Sequence, residues 1–365
     1  MLALLYVAAG LVNNYPVKSI NLATAESSDG VVSYYEVVTG QTIGLEDPHG
    51  VYGVALSDGG YLVVGKGGEC ETCPRTDAFA VKTSSTGAWI WTWTSANANA
   101  DDAAIGATQL PDGGDVLVVG FRSVGGVYSR TITRLSLSTG SQVWQSSNFG
   151  DSAGSHGGFE SIDMTTNGTA ALVGGFTNKA DTSEYSFRSY GNVAGGQAVV
   201  MQLPLSALTS STAPTSASAT WTRALSSQGT VKAARGLSNG EVGVLMLTDG
   251  VDTAQLVKLS SSGAIVWGPT NYGTAQQVEG TDMQISTDGS AMVFTGHGDC
   301  SGVLCGKLVS VSASDGTVNF NQQYASCGVP NACGTTYIKN ECWGLQALSD
   351  GYVLSCGTGI ENCDG

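Results

Sequence analysis

The sequence predicts an all-β fold, a β-propeller of four-stranded antiparallel blades, six or seven in number, with residues 1–365 as a single domain. Three observations carry this. A tight turn of Asp-Gly or Asn-Gly type followed by an apolar run recurs six times. A second polar turn, ending in glycine with an aromatic residue four positions on, recurs between them. No stretch sustains the 3.6-residue apolar period of a helix.

The first set comprises Asp58-Gly59, Asp112-Gly113, Asn167-Gly168, Asn239-Gly240, Asp288-Gly289 and Asp350-Gly351, spaced 49 to 72 residues apart. Apolar runs such as Tyr61 to Gly65 and Val116 to Gly120 follow directly. Asn, Asp and Gly tolerate positive φ best, so each site reads as a type I′ hairpin joining strands a and b. The second set pairs Gly30 with Tyr34, Gly87 with Trp91, Gly140 with Trp144, Gly263 with Trp267 and Gly316 with Phe320; Trp221 takes the same place after a longer loop. Alternation around these aromatics, as in Ala264-Ile265-Val266-Trp267, fits half-buried strands c and d whose large rings fill space between packed sheets. Trp89 and Trp93 flank Trp91 with period two and are expected on its face. A radial array of such sheets buries both faces of each. A β-helix has much shorter repeats, and a pair of sandwiches needs no such regular order.

At the N-terminus, Leu4 to Gly10 reads as another b strand, Lys18 to Leu22 as strand c and Val31 to Val38 as strand d; at the C-terminus, Cys342 to Cys356 supplies only a and b. Joining the C-terminal a-b pair to the N-terminal c-d pair would close six blades and leave one b strand over. A larger ring, or a longer native chain, is the alternative. Met1 to Val12 also resembles the apolar region of a signal peptide, without its positive flank.

Glycine supplies 51 of the 365 residues and proline 8, a glycine share about twice the ordinary ~7% that fits turns rather than collagen-like chain. Charged residues make up 12% and the net charge is −15. Nucleic-acid binders need clustered cations to displace counterions, so DNA and RNA are excluded as expected partners. No apolar run reaches the roughly 18 residues of a membrane span, so membrane insertion is not expected.

The nine cysteines cluster in connections. Cys70 with Cys73, and Cys300 with Cys305, occupy equivalent b-c connections; Cys327 and Cys333 would clip a d-a loop; Cys342 and Cys356 face each other across the last hairpin. Zinc would need two such pairs close together, so local disulfides are expected instead. Cys363 stands where Cys70 and Cys300 stand in their repeats and is left for an intermolecular bond or a continuing chain. Asn167-Gly168-Thr169 is an N-glycosylation sequon. The insertion 204–220 contains TSSTAPTSASAT, whose Thr209, Ser210, Ser211, Thr212, Thr215 and Ser216 are candidate O-glycosylation positions in a loop expected to be glycosylated or flexible. Low charge, local disulfides and abundant hydroxyls place the protein outside the cytosol or on the cell surface.

Candidate chemistry is sparse. His49, His156 and His297 sit beside Gly or Pro and read as solvated loop residues, and no Gly-x-Ser-x-Gly elbow accompanies them. Asp101-Asp102 and Glu46-Asp47 are paired carboxylates of the kind usually just solvated, with no EF-hand pattern. Gly65-Lys66-Gly67-Gly68 lacks the closing residues of a P-loop. No catalytic residue, metal ligand or cofactor is assigned.

The stretches 56–91 and 110–144 resemble extracellular propeller repeats with a DGGY-x-x-x-G strand and a V-K-x-x-x-x-G-x-x-x-W strand. Thr86-Gly87-Ala88-Trp89-Ile90-Trp91 and Thr139-Gly140-Ser141-Gln142-Val143-Trp144 are also similar to the tryptophan-docking repeats of the quinoprotein (PQQ-like) propellers. That family implies PQQ, a calcium ion and an adjacent Cys-Cys disulfide; the chain has no Cys-Cys pair, and no acidic metal-binding set aligns onto it. The resemblance is specific for fold rather than activity. The expected role is a non-catalytic extracellular building block of a filament, appendage or matrix, contacting itself or other extracellular structural proteins. A carbohydrate-binding or adhesive module, and a PQQ-like secreted oxidoreductase, are the alternatives.

Overall fold

The computed structural model describes residues 5–6, 49–67, 76–95, 101–124, 126–147, 149, 154–180, 196–248, 253–273, 279–299, 304–324 and 339–359. Within them the chain is an all-β fold of several small antiparallel sheets. After β1 (Leu5–Tyr6), unit I holds β2 (His49–Ala55), β3 (Tyr61–Gly67), β4 (Asp77–Thr83) and β5 (Trp89–Thr94), and unit II holds β6 (Asp102–Gln109), β7 (Val116–Val124), β8 (Val127–Leu135) and β9 (Gln142–Ser146). Unit III comprises β10 (His156–Met164), β11 (Ala170–Lys179), β12 (Gln197–Pro204) and the start of β13 (Trp221–Gly236). The rest of β13 opens unit IV, with β14 (Val242–Thr248), β15 (Thr253–Leu259) and β16 (Ile265–Asn271). Unit V holds β17 (Glu279–Ile285), β18 (Ala291–Asp299), β19 (Leu304–Ser312) and β20 (Val318–Tyr324), and unit VI holds β21 (Lys339–Leu348) and β22 (Gly351–Gly359).

Each unit pairs its strands in chain order. Strand β13 is shared: Trp221 to Gln228 pairs with β12, and Gly229 to Gly236 with β14. At the switch Gly229 has φ 141°, and a Cβ there would collide with the Leu247 carbonyl. Near the N-terminus, Leu5–Tyr6 is a strand as expected, but it lies parallel to β22, Leu5 opposite Ser355. The expected strands Lys18 to Leu22 and Val31 to Val38 lie outside the described residues.

Both faces of each inner sheet are buried, which is why the second strands read as nearly unbroken apolar runs. In β7, Val116 and Val118 pack with Leu62, Val64 and Trp91 of unit I. The alternate residues Leu117 and Val119 pack with Phe159, Val173 and Met201 of unit III, as a period of two requires. Equivalent layers join III to IV through Val200, Val231 and Val244, IV to V through Leu256, Phe294 and Val309, and V to VI through Val293, Leu308, Leu345 and Leu354.

The expected hairpins form, but mostly not with the expected turn. Only Asp112-Gly113 places both residues at positive φ, 60° and 71°. At Gly59, Gly168, Gly240 and Gly289 the glycine alone is left-handed, and its N–H donates to the carbonyl three residues back. That is a type I turn closed by a glycine bulge. The acidic or amide side chain then does a different job: Asp58 Oδ1 accepts the Gly60 N–H at 3.0 Å and Asp288 Oδ1 the Ser290 N–H at 3.0 Å.

A second contact set ties each unit to the next. The indole N–H of Trp91 donates to Leu137 O (2.9 Å), that of Trp144 to Ser210 O (3.1 Å), that of Trp221 to Ser261 O (3.0 Å) and that of Trp267 to Ala313 O (3.3 Å). Each acceptor belongs to the c-d connection of the following unit. The rings lie on that connection's glycine where it is short: a Cβ on Gly140 would sit 2.7 Å from Trp91, and one on Gly263 2.8 Å from Trp221. Beside the tryptophan, a cation on strand c bridges to the a-b turn, as in Lys82–Asp58 (2.6 Å), Arg134–Asp115 (2.8 Å) and Lys258–Glu241 (2.6 Å).

The insertion 204–220 departs from the expected flexible loop. It forms α1 (Leu205–Thr209) and a 3₁₀ turn, Ser216–Ser218. Leu208 is fully buried in the layer between units II and III. Arg134 donates to the Leu208 and Ser210 carbonyls, Trp144 to Ser210 O, and Ser146 Oγ to Pro214 O. Three side chains of unit II, making four hydrogen bonds, thus fix a segment whose composition alone reads as mobile.

Candidate functional site

Among the described residues, a buried polar cluster lies where first strands come together. Each of the six first strands carries a register shift, between Gly50 and Tyr52, Ala104 and Gly106, Phe159 and Ser161, Val231 and Ala233, Gly280 and Asp282, and Cys342 and Gly344. A bulge inserts one residue and re-aims the chain. Two of the inserted residues form an ion pair between neighbouring units, Lys232 Nζ to Glu160 Oε2 at 2.5 Å.

Just beyond the bulges sits Arg235, 5% exposed. Its Nη2 donates to Asp282 Oδ1 at 2.9 Å and to the Tyr52 hydroxyl at 3.4 Å, its Nη1 to Ala234 O at 3.3 Å, and its Nε lies 3.6 Å from Asp163 Oδ2. Asp282 in turn accepts the Met283 N–H at 2.8 Å and, through Oδ2, the Leu345 N–H at 3.0 Å. One guanidinium and its carboxylate therefore connect first strands of units I, III, IV, V and VI. Burial alone would weaken the guanidinium's hold on its proton, but Tyr52, Asp163 and Asp282 more than compensate and raise its pKa further. Burial outweighs the attraction of Arg235 at Asp163 and at Asp282, so both carboxyls are held above the usual range. Burial likewise pushes the Tyr52 phenol up to about 12. The cluster holds fixed charges and offers neither a nucleophile nor a base paired with one; its chemistry is that of a brace.

These residues were not singled out in sequence. Aligned on the turn glycines, Asp163 and Arg235 both stand five positions before Gly168 and Gly240, and Tyr52 and Asp282 both stand seven before Gly59 and Gly289. The signal was a polar residue at repeat positions filled elsewhere by Val54, Gly106 or Ala233.

The outer edge has the opposite character. Strands β5, β9, β16 and β20 contain no charged residue, and each pairs on one side only among the described strands. The residue before each docking aromatic, Ile90, Val143, Val266 or Asn319, is inserted at a register shift against strand c. Consequently Trp89 does not share the buried face of Trp91 and Trp93: it is 55% exposed, its indole N–H held by Thr92 Oγ1 at 2.9 Å. Ile90, Val143, Ile265, Val266 and Val318 are exposed at matching positions.

The other sequence candidates distribute as follows. His156 and His297 are buried in strands β10 and β18 rather than solvated; His156 Nδ1 accepts the Tyr128 N–H at 3.1 Å. His49 begins β2. Asp101 accepts the Thr76 N–H at 2.9 Å and the Tyr128 hydroxyl at 3.1 Å, and Asp102 is buried in β6, so this pair is structural rather than solvated. Lys66 is also buried, at the end of β3. Glu46 and Asp47 lie outside the described residues. Cys305 and Cys342 are disulfide-bonded, and the β21–β22 register sets Cys342 opposite Cys356; Cys70, Cys73, Cys300, Cys327, Cys333 and Cys363 lie outside the described residues. Asn167 is exposed at its turn, as are Thr209, Ser211, Thr212 and Ser216, while Ser210 and Thr215 are half-buried. Among the described residues no group of three His, Cys, Asp or Glu is placed to hold a metal ion, and no helix is long and apolar enough to cross a membrane.

No protein-family model and no curated protein matches the chain. Among solved structures it is similar to an oligogalacturonate lyase in complex with manganese, at 11% identity over 82% of this chain and 67% of that one, TM-score 0.43. A puromycin hydrolase matches at 15% identity over 87% of this chain, TM-score 0.47, and BamB from Moraxella catarrhalis at 11% over 85% of this chain and 99% of that one, TM-score 0.33. The chain spans 44% of the puromycin hydrolase.

Proposed function

We propose that the protein is a β-propeller of six or seven blades acting as a non-catalytic building block of an extracellular or cell-surface assembly, joined to its neighbours through its rim. The observation that carries this is the outer edge: charge-free terminal strands with exposed apolar residues at repeated positions. Proteins that stay monomeric usually protect such edges with lysine, proline or covering segments; here only β16 carries a proline, Pro269. The chain's net charge of −15 opposes self-approach elsewhere, so contact is cheapest where charge is absent.

Sedimentation and electron microscopy of native protein test the reading. Ordered oligomers or filaments are expected, dispersed by the combined V143K, V266K and V318K substitutions with the circular dichroism unchanged. A wild-type protein monomeric at every concentration, or a triple variant that still assembles, overturns it. The carbohydrate-binding alternative retains one observation, the fixed and exposed indole of Trp89, which suits stacking on a neutral sugar ring. Glycan-array retention lost in W89A would select it instead.

A further inference from the structure

We propose that Asn167 carries an N-linked glycan that projects from the turn face of the protein. Antiparallel pairing puts every a-b and c-d turn at one end of the sheets, and consecutive a-b turns abut there. A Cβ on Gly113 would lie 3.4 Å from Ser57 Oγ, one on Gly168 3.3 Å from Pro111, and one on Gly289 3.5 Å from Ser238 Oγ; Thr166 Oγ1 donates to Leu237 O at 3.1 Å. Asn167 stands in the middle of this arc.

Its amide is oriented by its own turn. Oδ1 accepts the Thr169 N–H at 3.2 Å and the Thr169 hydroxyl at 2.8 Å, with the Thr165 hydroxyl a further 2.8 Å donor. A backbone N–H can only donate, so the atom facing it is the oxygen. Asn167 is exposed, and its Nδ2 has no hydrogen-bond partner among the described residues. The equivalent Asn239 is different: its Nδ2 donates to Glu241 Oε2 at 2.5 Å, and Glu241 replaces the sequon hydroxyl. Of these two asparagine turns, one spends its amide nitrogen internally and the other presents it beside the hydroxyl that glycosylation requires.

The co-reactant is a lipid pyrophosphate-linked oligosaccharide. Asn167 Nδ2 forms a bond to its anomeric carbon, the bond from that carbon to the pyrophosphate oxygen breaks, the lipid pyrophosphate leaves with the electron pair, and Nδ2 gives up one proton. The test is peptide mass mapping of protein secreted by its native host, before and after amidase release, which converts a glycosylated Asn167 to Asp. The expected result is a glycan at Asn167, absent from N167Q and T169A and retained in T169S. Recovery of Asn167 unmodified overturns the site. A glycan found on a monomeric protein would count against the rim reading alone.

Discussion

Replacing Gly140 by alanine isolates the contact that joins one unit to the next. At φ 71° any Cβ meets its own backbone, at about 1–2 kcal/mol. Here it also meets the Trp91 ring at 2.7 Å, closer than packed carbons tolerate. The indole must move, an overpacking cost of about 1–3 kcal/mol. Moving it stretches the hydrogen bond to Leu137 O, for about 1 kcal/mol more. The expected total is roughly 3–6 kcal/mol. Gly240 is the control: its φ is 82°, but a Cβ there meets only Ser261 Cβ at 3.7 Å, so Gly240→Ala costs the backbone share alone, about 1–2 kcal/mol. Urea unfolding followed by tryptophan fluorescence should separate the two variants by about 2–4 kcal/mol, on the order of 1 M in midpoint at a slope of ~3 kcal/mol/M. Gly263→Ala, against Trp221, should match Gly140→Ala. Equal midpoints for Gly140→Ala and Gly240→Ala would refute the reasoning, because they would show that the ring bears nothing the backbone does not.

Asp282→Ala should leave the Arg235 charge buried with a distant partner and cost about 3–5 kcal/mol, whereas the double variant R235M/D282L, which removes both charges, should recover most of that in the same unfolding assay. Leu208→Ala should cost about 2–5 kcal/mol although it lies in a Ser/Thr-rich insertion, while exposed Thr212→Ala stays within about 0.5 kcal/mol; thermal melts of the two variants decide. The turn carboxylate Asp288 is pulled down to about 2, first by the Ser286 hydroxyl and then by Ser290, so its stabilisation is present above the ordinary carboxylate pKa and is lost as pH falls through about 2. The stability gap between wild type and D288N should therefore be constant near neutrality and close in strong acid. The raised Asp163 and Asp282 carboxyls act with the opposite sign: the folded state takes up their protons more readily than the unfolded chain, so their ionisation opposes folding and protonation relieves it as pH falls. Their effect is complete once pH has fallen to the ordinary carboxylate pKa; below it Asp288 still titrates while they do not, so D288N, with its turn contribution removed, should show the shallower slope in strong acid.

What the sequence disclosed depended on whether a signal was local. The hairpins were legible because glycine at a fixed spacing has one dominant use, and the docking tryptophans because a glycine-to-tryptophan interval repeats. The turn type was not, since Asp58 and Asn167 spend their side chains on the backbone two residues on rather than on a left-handed φ. Bulges escaped because an inserted residue leaves no compositional trace: period two placed Trp89 beside Trp91, and one extra residue, Ile90, turned it outward. The insertion misled for a related reason, because Leu208 and Pro214 are two apolar anchors in a polar run, and what holds their carbonyls, Arg134 and Ser146, lies more than sixty residues away in the chain.

The same distinction explains why the brace leaves no signal in any single repeat. Tyr52, Asp163, Arg235 and Asp282 come from four units, and nothing within any one of them marks its residue as charged for a purpose. Their position becomes meaningful only once first strands converge. Burying one guanidinium there is costly unless its partners are supplied from several strands at once, so the brace rewards a single relative arrangement of units and penalises others. The apolar layers between sheets are less selective, since Val, Leu and Met pack acceptably in neighbouring registers. Strands β5, β9, β16 and β20 can then dispense with charge, because unit order is already fixed from the inside.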